Sequence, residues 1–266
     1  MSDDEVLVTL LALVVGPVWW TFTLIHLARI GPIRPGALAV QALTVTISLC
    51  GIAILLVLKT LASFDVVDAA EYQFMYGVLG LAWLRVGERF FAFAGLSLRD
   101  DLVERRNRAA IPAMAGAFAG LTCCYAGGNI GDGPGWWVVL FSAGLASALL
   151  FVAWLMLAQF SPVMDAITID RDPAAGVRLG VFLAAGALLL GRAVAGDWYS
   201  VADTIGDAAA MIPALGVMVV VALIVERVAH PTPQRPRAPL LALGVVPALI
   251  YVAVVVAALS ALEWSA

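Results

Sequence analysis

Apolar residues run along the chain in long blocks, separated by short segments rich in glycine, proline or charge. A membrane-spanning helix needs roughly 20 mostly apolar residues. Eight blocks reach that length, so the pattern predicts an all-α integral membrane protein with eight transmembrane helices and a single transmembrane domain over residues 1–266. The predicted spans are residues 6–28, 37–60, 72–94, 109–127, 136–160, 174–195, 205–228 and 239–261.

The clearest break between two blocks is the segment at residues 127–135, which reads Gly-Gly-Asn-Ile-Gly-Asp-Gly-Pro-Gly and leads into two tryptophans. Glycine and proline favour tight turns and do not continue a helix. A second Gly-Asp pair occurs at residues 196–197, again between apolar blocks and again followed by a tryptophan, Trp198. Because tryptophan is enriched at the membrane–water interface, both segments are predicted to be turns at one membrane surface.

The charges predict an orientation. All but two of the 15 Lys and Arg residues lie in or beside the connections that follow spans 1, 3, 5 and 7. The two exceptions, Lys59 and Arg192, belong to the other set of connections, which are acidic. Since basic loops stay in the cytoplasm, both termini are predicted to be extracytoplasmic. The alanine, glycine and arginine bias suggests a bacterial cytoplasmic (inner) membrane.

Internal similarity predicts a repeat architecture. Shifting the chain by 65 residues places 106–132 on 171–197 without a gap, with identities at the loop, at the helix start and at the Gly-Asp turn. We therefore predict four helical hairpins, about 6–60, 72–127, 136–195 and 205–261, each closed by a basic cytoplasmic loop. An even number of spans per repeat makes the repeats parallel, related about an axis along the membrane normal.

Composition narrows the classes of function. Hydrophobic residues form 63% of the chain and charged residues 13%, too few charges to cover a water-facing domain. No nucleotide-binding or hydrolase motif occurs, and the three cysteines lie in apolar blocks without metal-site spacing. We expect a bilayer protein that is not an enzyme and has no cofactor, metal ion or nucleic-acid partner.

Two segments resemble a known family. They run from Glu104-Arg105-Arg106-Asn107-Arg108-Ala109-Ala110 to the turn at 127–135, and from Ile169-Asp170-Arg171-Asp172-Pro173-Ala174-Ala175 to Gly196-Asp197-Trp198. Both are similar to the bacterial membrane proteins of domain-of-unknown-function family 350, and the likeness covers roughly residues 100–230. It implies short helical-hairpin repeats packed through small residues, and implies no catalytic or binding residues.

Three charged residues interrupt the third predicted span. Arg85, Glu88 and Arg89 lie three and four positions apart and so share one helix face. If the helix runs to residue 94, the cluster lies near the middle of the membrane, where a charge usually has a function. Alternatively, the helix ends near Arg89 and Arg85 extends to the lipid headgroups. The sequence leaves both interpretations open.

Four aspartates are predicted to lie together on the outer face: Asp132, Asp197, Asp203 and Asp207. A ring of carboxylates at a pore mouth would concentrate cations. The alternative is structural, because aspartate also begins helices and stabilises turns. The capping role suits Asp203, and both roles remain open for the two Gly-Asp pairs.

Two hypotheses for function follow. The first is conduction or transport of an ion or small solute, with the outer aspartates as a vestibule and with a homo-oligomeric pore left open. The second is a non-catalytic scaffold or sensor whose basic cytoplasmic loops bind lipid headgroups or a soluble protein partner. The predicted docking residues are Arg99, Arg105, Arg106, Arg108, Arg235 and Arg237.

Overall fold

The computed structural model describes residues 1–29, 37–231 and 239–263. Regular secondary structure in this part of the chain is helical, apart from an isolated bridge between Ala62 and Gly131. The long helices are numbered α1 to α8. They are α1 (Asp3–Arg29), α2 (Ala37–Thr60), α3 (Ala70–Phe91), α4 (Ala110–Gly127), α5 (Trp136–Phe160), α6 (Pro173–Ala193), α7 (Val201–Ala229) and α8, in which π-helical Leu240–Val245 continues as Val246–Glu263.

Shorter helical segments lie in the connections. Phe64–Val67 joins α2 to α3, and Val163–Thr168 joins α5 to α6. The connection between α3 and α4 contains a 3-10 turn, Ala92–Ala94, and a π-helical segment, Leu98–Glu104.

Among the described residues, seven helices are long and apolar enough to cross a membrane: α1, α2 and α4 to α8. This confirms the prediction of an all-helical protein with several helices of membrane-spanning length and composition, and the predicted bounds agree with the observed helices to within four residues. The remaining long helix, α3, has 22 residues but is less apolar, because it carries Glu71, Arg85, Glu88 and Arg89.

Proline sets the shape of α1. Pro17 lacks a backbone N–H and therefore cannot complete the α-helical hydrogen-bond ladder, and the helix changes to π-helical geometry over Val14–Val18. Gly16, inside this segment, lies against the backbone of α3. A Cβ atom there would be 2.9 Å from the nitrogen of Ala82. The π-helical segment thus brings α1 into close contact with α3.

Helices α4 and α6 form the centre of the bundle. In the most apolar stretch of each, 72% of α4 and 78% of α6 is buried, against 22% for both α1 and α2. The other helices surround this pair. Its composition explains its position, because both helices are rich in alanine and glycine, and small side chains permit close approach of two backbones.

The contact between α4 and α6 is made by glycines. A Cβ atom on Gly116 would overlap the backbone of Gly180, and one on Gly127 would overlap the backbone of Gly191. In both pairs the partners are 64 residues apart. A constant separation along the two helices means that α4 and α6 run parallel, with backbone packed directly on backbone.

The connections that precede α4 and α6 have the same local geometry, at what we call the basic end of the bundle (residues 95–109 and 161–172). Arg106 and Arg171 both adopt left-handed backbone conformations, with φ of 49° and 54°. The next residues, Asn107 and Asp172, each accept a side-chain hydrogen bond from the backbone N–H two residues later, at 3.0 and 3.2 Å. The Asn107 amide also donates to the carbonyl of Ile167 at 2.6 Å, which joins the two connections.

We expect Gly116→Ala to destabilise the protein by roughly 1–3 kcal/mol, the usual range for overpacking, because the new methyl group would displace the backbone of α6. Thermal unfolding of the purified protein in detergent measures the change. Gly216→Ala in α7 is the matched control, since no atom lies within 4 Å of a Cβ built there. Equal unfolding temperatures for the two variants would contradict a glycine-dependent contact.

Candidate functional site

A cavity of about 480 Å³ lies at the opposite, acidic end of the bundle. We use this name for the end formed by the α4–α5 turn and the α6–α7 connection (residues 128–135 and 194–200). Residues from α1, α3, α5, α6 and α7 and from the three connections at this end line the cavity. Five carboxylates contribute to the lining: Glu5, Asp65, Asp132, Asp197 and Asp207.

Backbone hydrogen bonds hold the two Gly-Asp turns side by side. Gly196 donates to the carbonyl of Ile130 at 2.9 Å, and Trp198 donates to the carbonyl of Asp132 at 2.7 Å. Gly131 and Gly196 have φ of 96° and 134°, values that favour glycine because other residues have a Cβ atom that clashes there. The glycines are therefore needed for the paired turns that form one wall of the cavity.

The four predicted aspartates differ in whether they line the cavity. Asp132, Asp197 and Asp207 line the cavity and Asp203 does not. The Asp197 carboxylate accepts a hydrogen bond from the backbone N–H of Asp132 at 3.0 Å, so it also stabilises the turn. Asp203 lies in the first turn of α7 and accepts a hydrogen bond from the Ser200 hydroxyl at 2.7 Å. Asp207 lies one turn further on and its carboxylate is exposed to the cavity.

Sequence reasoning missed two of the five carboxylates. Glu5 lies near the start of α1 and accepts a hydrogen bond from the Tyr72 hydroxyl at 3.4 Å, and Asp65 lies in the α2–α3 connection. Both are distant in sequence from the Gly-Asp turns. The sequence places both residues on the acidic side of the membrane. It does not indicate that they lie close to the Gly-Asp turns.

The carboxylates would attract a cation through their combined field and not through a coordination site. In the described part of the chain, no group of three or more His, Cys, Asp or Glu side chains is arranged to hold a metal ion. A cleft lined by charges of one sign raises the local concentration of the opposite charge. Below the carboxylates, the buried side chains of Asn129 and Ser142, 6% and 3% exposed, add polar groups to the lining.

An aromatic cluster fills the bundle between this cavity and the basic end. Phe91 and Phe118 have ring centroids 5.1 Å apart, and Trp20 and Trp154 pack on them at 5.7 and 5.3 Å. All four side chains are buried. Aromatic side chains therefore close the bundle in its basic-end half.

Two hydroxyl groups in the described part of the spans do not contribute to a polar path around this cluster. Thr122 is buried and donates to the Phe118 carbonyl of its own helix at 2.8 Å, and Thr44 donates to Val40 in the same way at 2.8 Å. Such bonds satisfy the hydroxyl locally and leave it unavailable to line a channel.

Arg85, the first residue of the charged cluster of α3, is buried against α1. Arg85 is only 4% exposed, forms an ion pair with Glu88, and has its guanidinium carbon 4.7 Å from the ring centroid of Trp19 and 5.3 Å from that of Trp20. Helix α3 ends at Phe91, six residues after Arg85, which is about 9 Å along a helix. Arg85 is thus near the end of its helix, as the second interpretation expects, but it is paired and stacked and does not extend outward.

The predicted docking arginines lie at the basic end. Arg99 forms an ion pair with Glu104 at 2.7 Å, and Arg105 forms one with Asp101 at 3.4 Å. The hydrogen bond to Glu104 raises the pKa of the Arg99 guanidinium above its ordinary value. Arg99, Arg105, Arg106 and Arg108 are exposed. Arg235 and Arg237 lie outside the described residues.

A buried ion pair between Arg178 in α6 and Glu226 in α7 was not predicted from the sequence. Arg178 is 0% exposed and Glu226 is 1% exposed. The guanidinium donates from Nε and Nη2 to the two carboxylate oxygens, both at 2.7 Å, and from Nη1 to the carbonyl of Leu243 in α8. One side chain therefore ties three helices together. The partners are 48 residues apart, and in the linear pattern Arg178 resembles a loop arginine.

Comparison of the chain with protein-family models, with curated proteins and with solved structures found no match. The resemblance to domain-of-unknown-function family 350 therefore stays a prediction.

We expect Glu226→Leu to destabilise the protein by about 3–5 kcal/mol, because it leaves the buried Arg178 charge without its partner. The double variant Arg178→Met/Glu226→Leu removes both charges and should recover most of the loss. Chemical unfolding in detergent, followed by circular dichroism, measures both. A single variant as stable as the wild type would show that the pair contributes nothing.

Proposed function

We propose that the protein is a carrier for small cations and that the cavity at the acidic end is its binding site. The observation that carries this proposal is the convergence of five carboxylates, from four separate parts of the chain, on one cavity of about 480 Å³. This volume lies within the range of small-molecule sites, roughly 300–1,000 Å³. Tyr72 and Tyr76 add aromatic surface, which favours cations electrostatically.

A carrier fits the closed centre of the bundle better than an open channel does. The aromatic cluster around Phe118 separates the acidic-end cavity from the basic end, so a bound cation needs a change of conformation to cross. Carriers with parallel repeats bind substrate between the repeats and alternate access to the two sides.

The proposed topology is that of eight spans in a bacterial inner membrane, with the acidic end outside and both termini extracytoplasmic. Helix α3 would be the eighth span, since its 22 residues extend about 33 Å and its Arg85 is paired with Glu88. Thirteen of the 15 basic residues would then be near the cytoplasm, in agreement with the positive-inside rule.

We also propose that residues 106–132 and 171–197 are copies of one repeat. Two pairs of residues that are 65 positions apart support this: Arg106 and Arg171 share left-handed φ, and Gly131 and Gly196 share positive φ. The parallel packing of α4 on α6 agrees with repeats related about the membrane normal.

A second candidate function is a scaffold that docks a soluble partner at the basic end. The exposed side chains of Arg105, Arg106 and Arg108 favour it, because clustered arginines attract acidic surfaces. This function does not explain the acidic-end cavity, and for that reason we place it second.

Neutralising the cavity should reduce cation uptake. In proteoliposomes we expect Asp132→Asn/Asp207→Asn to lower the rate of rubidium or choline uptake by roughly tenfold, the effect of losing about 1.4 kcal/mol of attraction. Uptake should fall because the double variant removes two of the carboxylates that attract cations to the cavity. The residual rate should also be less sensitive to ionic strength, because less of the attraction is electrostatic.

Asp203→Asn is the matched control for that experiment. Asp203 lies on α7 one turn before Asp207 and is also exposed, but it is outside the cavity lining. Its neutralisation should leave uptake unchanged. Equal losses in the control and the double variant, or no uptake by folded, inserted wild type above empty liposomes, would refute the carrier proposal.

A further inference from the structure

A second cavity, of about 440 Å³, lies near the basic end between α1 and α3. It has an apolar side and a cationic side. Trp19 and Phe22 of α1 form the apolar side, and these residues are 44% and 67% exposed at the bundle surface. Arg85 and Arg89 of α3 contribute to the cationic side. The cavity therefore opens laterally, toward the region that lipid would occupy.

Arg85, one of the residues that line this cavity, has a buried hydrogen-bond donor that is not used. Its side chain is 96% buried and forms an ion pair with Glu88 through Nη1. Its Nε is buried and has no hydrogen-bond partner among the described residues. An unsatisfied guanidinium N–H is costly inside a protein, and here it belongs to a residue that lines an open cavity. A ligand with acceptor oxygens would satisfy it.

The charges of the cavity do not balance. Among the described residues, Glu88 is the acidic partner of both Arg85 and Arg89, with its carboxylate 4.0 Å from Nε of Arg89. Arg99, at the rim, is offset by Glu104. One positive charge is thus left over. A phosphodiester carries one negative charge and would restore neutrality.

The cavity also offers neutral donors and a suitable depth. The hydroxyl groups of Thr23 and Ser97 line it, and the Ser97 oxygen accepts a hydrogen bond from the backbone of Asp100 at 3.1 Å, so its proton is free to be donated. Arg85 lies about 9 Å before the end of α3 by helix geometry. That depth corresponds to the headgroup side of a membrane-spanning helix.

From these observations we propose that the cavity between α1 and α3 binds the phosphate of an anionic phospholipid headgroup. The phosphate pairs with the exposed Arg89 guanidinium, and its oxygens accept from Arg85 Nε–H once the side chains that cover this atom move aside. The acyl chains leave past Trp19 and Phe22 into the bilayer. The site is separate from the acidic-end cavity, so it holds whether or not the protein carries cations.

The test is native mass spectrometry of the full chain, released from micelles that contain equal amounts of phosphatidylglycerol and phosphatidylcholine. We expect one retained phosphatidylglycerol in preference to phosphatidylcholine, whose choline would add a cation beside Arg89. Arg89→Gln should weaken retention by about tenfold, since charge-assisted bonds to phosphate are strong. Arg89 is 59% exposed, so the variant should fold, and circular dichroism checks this.

Arg227→Gln is the matched control, because it removes an exposed arginine from the last turn of α7 and outside the cavity; retention should be unchanged. Equal retention of the two lipids, or equal losses in the two variants, would overturn the proposal. Displacement of the lipid by millimolar inorganic phosphate would assign the site to free phosphate and overturn the headgroup assignment.

Discussion

The close backbone contact between α4 and α6 determines where the other helices lie. In a bilayer, lipid is as apolar as a helix surface, so helices associate through tight packing and hydrogen bonds and not through exclusion of water. Glycines at Gly116, Gly127, Gly180 and Gly191 provide the tight packing. Hydrogen bonds between equivalent connections hold the pair at both ends. The acidic-end cavity depends on this pair, because the paired turns that wall it extend from the last residues of α4 and α6.

Charge is distributed unevenly along the bundle. At the acidic end the cavity carboxylates of Asp65, Asp132, Asp197 and Asp207 are exposed, where water lowers the cost of their charges. Toward the other end, Arg85 and Arg178 are buried and each has a carboxylate partner. The two buried pairs differ in one respect. Arg178 uses Nε and both terminal nitrogens on protein acceptors, whereas Arg85 leaves Nε without one.

Apolar block length was sufficient to predict the helices, because roughly 20 apolar residues have few alternatives to a span. The 65-residue shift placed Gly131 beside Gly196 in the alignment, and the structure places them side by side in space. The sequence did not predict which residues contact each other across helices. Nothing local in the sequence links Arg178 to Glu226, or Glu5 to the Gly-Asp turns, because these contacts depend on how helices pack. The burial of Arg85 depends in the same way on a stacking partner, Trp19, from another helix.

Direct backbone contact between α4 and α6 also has a mechanical consequence. No side chains lie between the glycines, so there are no rotamers whose rearrangement would let one helix slide or tilt on the other, and close-packed interiors transmit displacement instead of absorbing it. We expect the α4–α6 pair to remain rigid when other parts of the protein move. The π-helical segments of the outer helices are held in the same way, since Gly16 in α1 lies against the backbone of α3 and Gly244 in α8 lies against Ala174 of α6. A change of shape would therefore have to come from the parts of the outer helices away from these contacts.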